Sequence, residues 1–156
     1  MPARALIKPV LALLGIVGTA FMVDKHLSKK KVFIGFAMED QSARNFLVAQ
    51  SHNGVVPFEF RDRSVKEPWT NAWKTKCRKR IKNSDAVIVI ISKNTMQAKG
   101  VRWEIKCALE EKKHFIAIYK SKKDKGCQLP PELGRRRPRE WTWDTIKKFI
   151  NGLDKK

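Results

Sequence analysis

The feature of this sequence that most constrains its fold is an unbroken apolar run, Ala86-Val87-Ile88-Val89-Ile90-Ile91. Most of its residues are β-branched, and such residues favour extended backbone. Because no polar residue alternates with the apolar ones, both faces of this strand should be covered by other parts of the chain. The run therefore predicts the central strand of a parallel sheet with helices on both sides.

Strand and helix patterns alternate along the chain from residue 31 onward. The strand patterns lie at residues 32–36, 55–60, 86–91 and 115–119. The helical patterns lie at residues 40–51, 69–81, 101–109 and 140–153. This alternation, with right-handed crossovers, predicts an α/β fold: a flavodoxin-like doubly wound parallel sheet of strand order 2-1-3-4-5.

Two further expectations concern the C-terminal part of the chain. Residues 120–139 are basic and rich in Gly and Pro, which predicts a long loop, and a short fifth strand is expected near residues 139–141. The last helix is expected to turn four residues toward the core: Trp143, Ile146, Phe149 and Ile150.

The charge of the chain limits the choice of partners without deciding among them. Its 156 residues are enough for one domain, and the hydrophobic fraction of 42% is enough for a core and excludes a wholly disordered chain. Against 15 Asp and Glu there are 34 Lys and Arg, a formal charge of +19. Such a surface favours anionic partners: nucleic acid, anionic lipid or phosphate-bearing small molecules.

The cysteines and histidines argue against a disulfide framework and against a metal site. The chain has three cysteines, Cys77, Cys107 and Cys127, with no CxxC pair and no metal-ligand spacing to a histidine. The odd count points to a reducing compartment. The chain also lacks GxGxxG and the P-loop, which excludes those two phosphate-binding motifs. We therefore expect neither a metal nor a bound cofactor.

An apolar segment, Leu6 to Val23, precedes the strand–helix pattern and is interrupted only by Lys8. As a helix its 18 residues span about 27 Å, close to a bilayer core of about 30 Å. A cleaved secretory signal, with Gly18-Thr19-Ala20 as the cleavage site, and a buried or amphipathic helix remain alternatives. Four lysines follow the segment, so a single-pass N-terminal anchor would place the rest of the chain on the cytoplasmic face of the membrane.

The predicted fold directs attention to the carboxyl ends of the first and third strands, where ligands of such sheets bind. The segment from Phe36 to Asp40 and the residue Ser92 should line this crevice. Asp40 could instead be only a helix N-cap, and Ser92 only a turn cap.

Glu104 is the acidic residue that stands out in the next helix. Its position lies just outside the apolar arc of Val101, Ile105 and Ala108, so we expect a half-buried carboxylate in the first helical turn. The positive helix N-terminus should keep it ionised. A carboxylate beside a cleft can stabilise an oxocarbenium-like sugar cation. A role limited to the helix dipole, or pairing with Arg102 or Lys106, is the simpler alternative.

The basic cluster Arg135-Arg136-Arg137-Pro138-Arg139 lies near Trp141 and Trp143. Basic residues beside aromatics can bind single-stranded nucleic acid, and near a membrane they can contact anionic lipid. We favour a solvated loop with both tryptophans turned into the core, and so do not expect nucleic acid as a partner.

Taken in order, three segments resemble TIR (Toll/interleukin-1 receptor) domains. They are Val32-Phe33-Ile34-Gly35-Phe36 with Glu39-Asp40, Ser84 to Ser92, and Val101-Arg102-Trp103-Glu104-Ile105 with Ala108. The likeness covers about residues 31–119 and is greatest to the TIR-like domains of bacterial Thoeris antiphage systems. It divides the chain into residues 1–30, a hydrophobic anchor and basic linker, and residues 31–156, a TIR-like domain.

The resemblance implies an activity and a site. Many bacterial members of the family cleave the nicotinamide–ribose bond of NAD+, and some release a cyclic ADP-ribose isomer that activates a separate effector. The essential glutamate of the family corresponds to Glu104, and we expect Phe36, Asp40, Ser92 and Trp103 to bind the substrate. NAD+ would be a substrate rather than a cofactor. The domain would associate with other copies of itself, and an anionic membrane is a further expected partner.

Two departures from the family pattern keep a second interpretation open. The chain has Lys99-Gly100-Val101 ahead of the glutamate segment and Gly35-Phe36-Ala37-Met38 after the first strand. A non-catalytic module that assembles TIR domains at a membrane is therefore the alternative to an NAD+-cleaving enzyme.

Overall fold

The computed structural model describes residues 30–52, 60–62 and 70–155. Within them, four strands form one sheet: β1 (Lys30–Gly35), β2 (Phe60–Asp62), β3 (Ala86–Ile91) and β4 (His114–Tyr119). The strand order is β2-β1-β3-β4 and every pair is parallel. Ala86 lies opposite His114, so β3 and β4 start level with each other, and Val32 lies opposite Ala86, so β1 starts two residues earlier.

Four α-helices connect and follow these strands. They are α1 (Gln41–His52), α2 (Asn71–Lys82), α3 (Lys99–Glu110) and α4 (Trp143–Asn151). Thr70 and Thr142 cap the starts of α2 and α4, since each side-chain oxygen accepts a hydrogen bond, 3.1 Å long, from a backbone N–H three residues on. Short 3₁₀ helices lie at Met38–Asp40, Lys122–Gly126, Pro131–Leu133 and Gly152–Asp154.

The helices cover the two faces of the sheet in pairs. On one face, Phe33, Val87 and Val89 pack with residues of α2 and α3 in one apolar cluster. On the other, Val32, Ile34 and Ile88 pack with residues of α1 and α4. All six residues of β3 are buried, as an unbroken apolar strand covered on both faces requires. The doubly wound arrangement expected from the sequence is thus present.

The predicted central strand agrees with β3 at both ends, and the first four positions of the predicted strand order are observed. The fifth strand is reduced to one parallel bridge between Ile118 and Arg139. Its two hydrogen bonds run from the N–H of Arg139 to the carbonyl of Ala117 and from the N–H of Tyr119 to the carbonyl of Arg139. The second predicted strand, residues 55–60, falls largely outside the described residues, and β2 begins at Phe60.

Two expectations about the C-terminal part were wrong. The last helix begins at Trp143 rather than at residue 140, and the Trp143 side chain is 41% exposed instead of facing the core. As the first residue of a capped helix, Trp143 leaves the inward positions to Ile146 and Ile150. The basic segment at residues 120–139 is a long loop, as predicted, with two short 3₁₀ helices, and its Leu133 is buried in the cluster of α2 and α3.

The predicted N-terminal helix lies outside the described residues, as do residues 1–29 of the predicted anchor and linker. Among the residues that are described, none of the helices has the length and apolar character needed to cross a bilayer.

Candidate functional site

Glu104 lies inside the protein, on the face of the sheet that α2 and α3 cover. It is the sixth residue of α3, and only 6% of it is exposed. A Cβ atom added to Gly35 would lie 2.9 Å from Glu104 Oε2, so the carboxyl group reaches the last residue of β1. Cys77 Sγ donates a long hydrogen bond, 3.9 Å, to Glu104 Oε1. Within the described residues, Oε2 is buried without a hydrogen-bond partner.

The expected ionisation of Glu104 is not what this environment favours. Burial raises the pKa of the Glu104 carboxyl well above its usual range, and the hydrogen bond from Cys77 lowers it by less. The helix dipole does not compensate, because its effect fades beyond the first turn and Glu104 lies in the second. Burial therefore favours the neutral form of this carboxyl over the ionised one.

The nearby cysteines are not nucleophiles in this state. Burial, followed by the charge of Glu104, raises the pKa of the Cys77 thiol far above its usual value. Burial likewise raises the pKa of Cys107 to about 11. Since the thiolate is the reactive form, both thiols are inert at neutral pH, and the carboxyl group of Glu104 is the functional group available in this region.

Phe36 does not lie beside Glu104. Side chains of a strand alternate between faces, and Phe36 continues the face of Val32 and Ile34, where it packs in the cluster of α1 and α4. Gly35, one residue earlier, lies on the face of Glu104. The structure therefore separates Phe36 and Glu104 by the thickness of the sheet.

Asp40 and Ser92 lie together at the carboxyl edge of the sheet, as expected, and they are hydrogen-bonded to each other there. Ser92 Oγ donates to Asp40 Oδ2, while Asp40 Oδ1 accepts from Asn94 Nδ2 at 3.2 Å and from Lys120 Nζ at 2.8 Å. Asp40 is completely buried. The hydrogen bond to Asp40 raises the pKa of Lys120. The carboxylate thus links the chain segments that follow β1, β3 and β4.

Trp103 lies on the side of α3 that faces α2. Its ring meets that of Trp73 edge-on, with centroids 5.4 Å apart, and the Arg78 guanidinium lies 5.6 Å from the Trp103 ring centroid. These contacts hold the two helices together.

Two cavities were not foreseen from the sequence. One, of about 650 Å³, lies between α1, the chain that follows β4 and the residues before α4; Phe46, Trp141 and Trp143 line it. The other, of about 700 Å³, lies beside β4 and α4 and is lined in part by Arg136, Arg137 and Arg139. No signal in the sequence pointed to the first cavity, because Phe46 shares the helical pattern of α1 and only the structure shows that it is 59% exposed.

Metal ligands do not cluster in the part of the chain that the structure describes: no group there of three or more His, Cys, Asp or Glu side chains could hold a metal ion. Within the described residues, the candidate features are therefore the carboxyl group of Glu104 and the two cavities, one lined by aromatic and the other by basic side chains.

Comparison with known proteins identifies the family. A sequence model of the family described as "Thoeris protein ThsB, TIR-like domain" matches residues 33–125, more than half of the chain. Among solved structures, the TIR domain of the Toll-related receptor TRR-2 from Hydra magnipapillata is similar, with a TM-score of 0.55 and 19% sequence identity. The match covers 80% of this chain and 94% of that one, and it bears on the fold alone. None of the curated proteins matches the sequence. The chain belongs to the ThsB family of Thoeris TIR-like domains.

Proposed function

We propose that this protein is a TIR-type signalling enzyme of antiphage defence that cleaves the nicotinamide–ribose bond of NAD+. The observation that carries the proposal is the carboxyl group of Glu104, buried beside Gly35 with Oε2 unsatisfied among the described residues. Leaving a buried polar atom unsatisfied is costly, so such an atom calls for an explanation, and a catalytic role is one of the recognised ones. Membership of the ThsB family adds independent support.

The proposed chemistry uses the change in charge of the Glu104 carboxyl. The nicotinamide ring of NAD+ carries a positive charge, and a nearby cation favours the ionised form of a carboxyl, so the Glu104 carboxyl releases its proton to solvent when NAD+ binds. The bond between ribose C1′ and the ring nitrogen then breaks, and its electron pair leaves with neutral nicotinamide. The carboxylate stabilises the cation that develops at C1′. Water, or a nucleophile within the same molecule, adds at C1′ and loses its proton, giving a linear or a cyclic product.

Substrate access requires a change from the described state, because only 6% of Glu104 is exposed. TIR domains generally self-associate, and we propose that assembly of several copies opens the path to Glu104. The resting monomer would then be inactive, with its carboxyl neutral and enclosed.

The decisive experiment measures nicotinamide release from NAD+ by the full-length protein at high concentration. We expect turnover by the unmodified chain and a loss of about 100-fold or more in the Glu104→Gln variant, which keeps the shape and removes the charge. Glu110→Gln is the matched control, since Glu110 lies on the same helix but is exposed and paired with Arg78. Full turnover by Glu104→Gln would refute the assignment.

A non-catalytic TIR–TIR assembly module is the second candidate. The packing of Phe36 in the core and the mutual hydrogen bonding of Asp40 and Ser92 favour it, because none of these three is open to a substrate. Stable oligomers without any loss of NAD+ at high protein concentration would select this function over catalysis.

We further propose that residues 6–23 tether the domain to the cytoplasmic face of a membrane. The apolar run and the four lysines that follow it support this proposal. The full-length protein should remain with the membrane fraction after a high-salt wash, which removes proteins held by charge alone. Recovery in the soluble fraction would contradict the tether.

A further inference from the structure

We propose that the cavity between α1 and the residues before α4 binds a free nucleotide, with the base against its aromatic wall and the phosphates on its lysines. This site is separate from Glu104, which lies on the opposite face of the sheet. The cavity volume, about 650 Å³, is within the usual range for small-molecule sites.

The aromatic wall is suited to a flat heteroaromatic ring. Phe46 is 59% and Trp143 is 41% exposed, and both line the cavity together with Trp141. The rings of Phe46 and Trp141 are 5.9 Å apart between centroids and tilted by 54°. Large aromatic side chains gain little from such exposure, and nucleobases stack on them readily.

The basic side of the cavity is suited to phosphate. It is formed by Lys120, Lys122 and Lys125, which follow β4. Lys120 pairs with Asp40, and Lys125 pairs with Glu140, an exposed acid that also lines the cavity. A surface pair such as Lys125–Glu140 contributes little free energy, so a phosphate can compete for Lys125.

A further acid near these lysines, Asp124, does not line the cavity, although its charge acts on Lys120. Asp124, in the same 3₁₀ helix as Lys122, is buried and accepts hydrogen bonds from the Ser121 hydroxyl and from the backbone N–H of Lys93. Lys122, which is exposed, thus contributes positive charge to the cavity. A nucleotide, which joins a flat ring to an anionic group, satisfies both sides at once.

The test titrates the full-length protein with ADP and follows binding by calorimetry. We expect one site whose affinity for ADP exceeds that for adenosine or pyrophosphate by at least tenfold, because each of these lacks one of the two recognised groups. Binding should weaken as salt rises. If ADP fails to bind at millimolar concentration, or if adenosine binds equally well, the proposal is wrong.

Matched variants locate the site. Phe46→Ala should weaken ADP binding at least tenfold, whereas Met38→Ala, which removes an equally exposed apolar side chain outside the cavity lining, should not. Lys122→Ala should weaken binding severalfold, whereas Lys123→Ala, next to it in the chain, should have no effect. Unchanged ADP affinity in both cavity variants would overturn the proposal.

Three further outcomes separate this site from its alternatives. Glu104→Gln should keep ADP binding while losing nicotinamide release, so the two proposals can fail independently. A Phe46→Ala variant that loses self-association but keeps its ADP affinity would make the surface a protein interface and reject the nucleotide. Much tighter binding of a single-stranded oligoadenylate than of ADP would assign the cavity to nucleic acid and reject the free nucleotide.

Discussion

Two opposing electrostatic effects act on the carboxyl group of Glu104 at the residue scale. The helix N-terminus attracts negative charge, but its influence is confined to about one turn, and Glu104 is the sixth residue of α3. Desolvation penalises the charged form, and it is the larger effect at this buried position. Its immediate neighbours are Cys77, whose thiol also has a raised pKa, and Gly35. Burial therefore favours the neutral form of the Glu104 carboxyl.

The raised pKa of Glu104 predicts a dependence of stability on pH. Between the usual carboxyl pKa and the raised one, the folded protein binds a proton that the unfolded chain has released. The contribution of Glu104 to the free energy of unfolding therefore falls as pH rises through this interval. Glu104→Gln removes that dependence, so its stability relative to the unmodified protein should increase from pH 5 to pH 8, measured by urea unfolding.

The control for this pH series is Glu110→Gln. The hydrogen bond from Arg78 lowers the pKa of Glu110, so Glu110 is ionised in both the folded and the unfolded states above pH 5. Its stability difference from the unmodified protein should stay constant over the same range. A constant difference for Glu104→Gln as well would contradict the neutral carboxyl.

Gly35 predicts a second outcome at the residue scale. A Cβ atom there would approach Glu104 Oε2 to 2.9 Å and Val89 Cγ2 to 3.2 Å. Gly35→Ala should therefore destabilise the protein by about 1–3 kcal/mol through overpacking. Combining it with Glu104→Ala, which removes the nearest atom, should cost less than the sum of the two single changes, measured by urea unfolding in a double-mutant cycle. Additive costs would mean that the two residues do not touch.

A short element helps to hold the segment between β4 and α4 to the domain, together with the bridge of Arg139 to β4. The 3₁₀ helix Pro131–Leu133 places Leu133 in the core cluster of α2 and α3. Beside it, Glu132 accepts hydrogen bonds from Arg102 of α3 at 2.7 and 2.9 Å. The exposed arginines that follow are thus carried on a segment anchored at both the core and the surface of α3.

Leu133→Ala tests this anchor at the scale of the element. Removing a fully buried leucine side chain should lower the free energy of unfolding by about 2–5 kcal/mol, because the cavity left behind cannot close completely. Arg135→Ala, two residues away and exposed, should change stability by less than about 0.5 kcal/mol. Thermal and urea unfolding measure both. A small effect at Leu133 would show that the segment docks only through its surface contacts.

At the scale of the whole molecule, the sheet separates Glu104 from the aromatic cavity. Glu104 lies under α2 and α3, whereas the aromatic cavity lies at α1 and the start of α4. Asp40 joins the segments after β1, β3 and β4 at the edge between them. A ligand in the cavity would contact Lys120 and so the same carboxylate network.

Self-association belongs to this scale, and it predicts how activity depends on concentration. If assembly opens the path to Glu104, the rate of nicotinamide release per molecule should rise with protein concentration, whereas a monomeric enzyme would show a constant rate. The measurement compares specific activity across a range of about 100-fold in concentration, with light scattering on the same samples. A constant specific activity while the oligomer grows would show that assembly does not activate the protein.

The elements of this fold were predictable from the sequence because they depend on local patterns. The apolar run at residues 86–91 required a strand covered on both faces, and it is β3. The helical spacing of Val101, Ile105 and Ala108 identified α3 and placed Glu104 at the margin of its buried side. The ordered series of such segments was also sufficient to indicate the family.

The surroundings of the site residues depended on contacts between distant parts of the chain. Lys120 reaches Asp40 across 80 positions, and Cys77 reaches Glu104 across 27, so neither contact leaves a trace in local spacing. Trp143 is a different case, because its exposure goes with its place as the first residue of α4, directly after the local cap at Thr142.

The sequence by itself thus determined the order of strands and helices and the burial of the central strand, because backbone preference and apolar periodicity are properties of neighbouring residues. Only the tertiary structure decided that Phe36 and Glu104 lie on opposite faces, that burial raises the pKa of the Glu104 carboxyl, and that aromatic and basic side chains share a cavity. These properties follow from which distant atoms displace water around a side chain, and such displacement is determined by the packed chain as a whole.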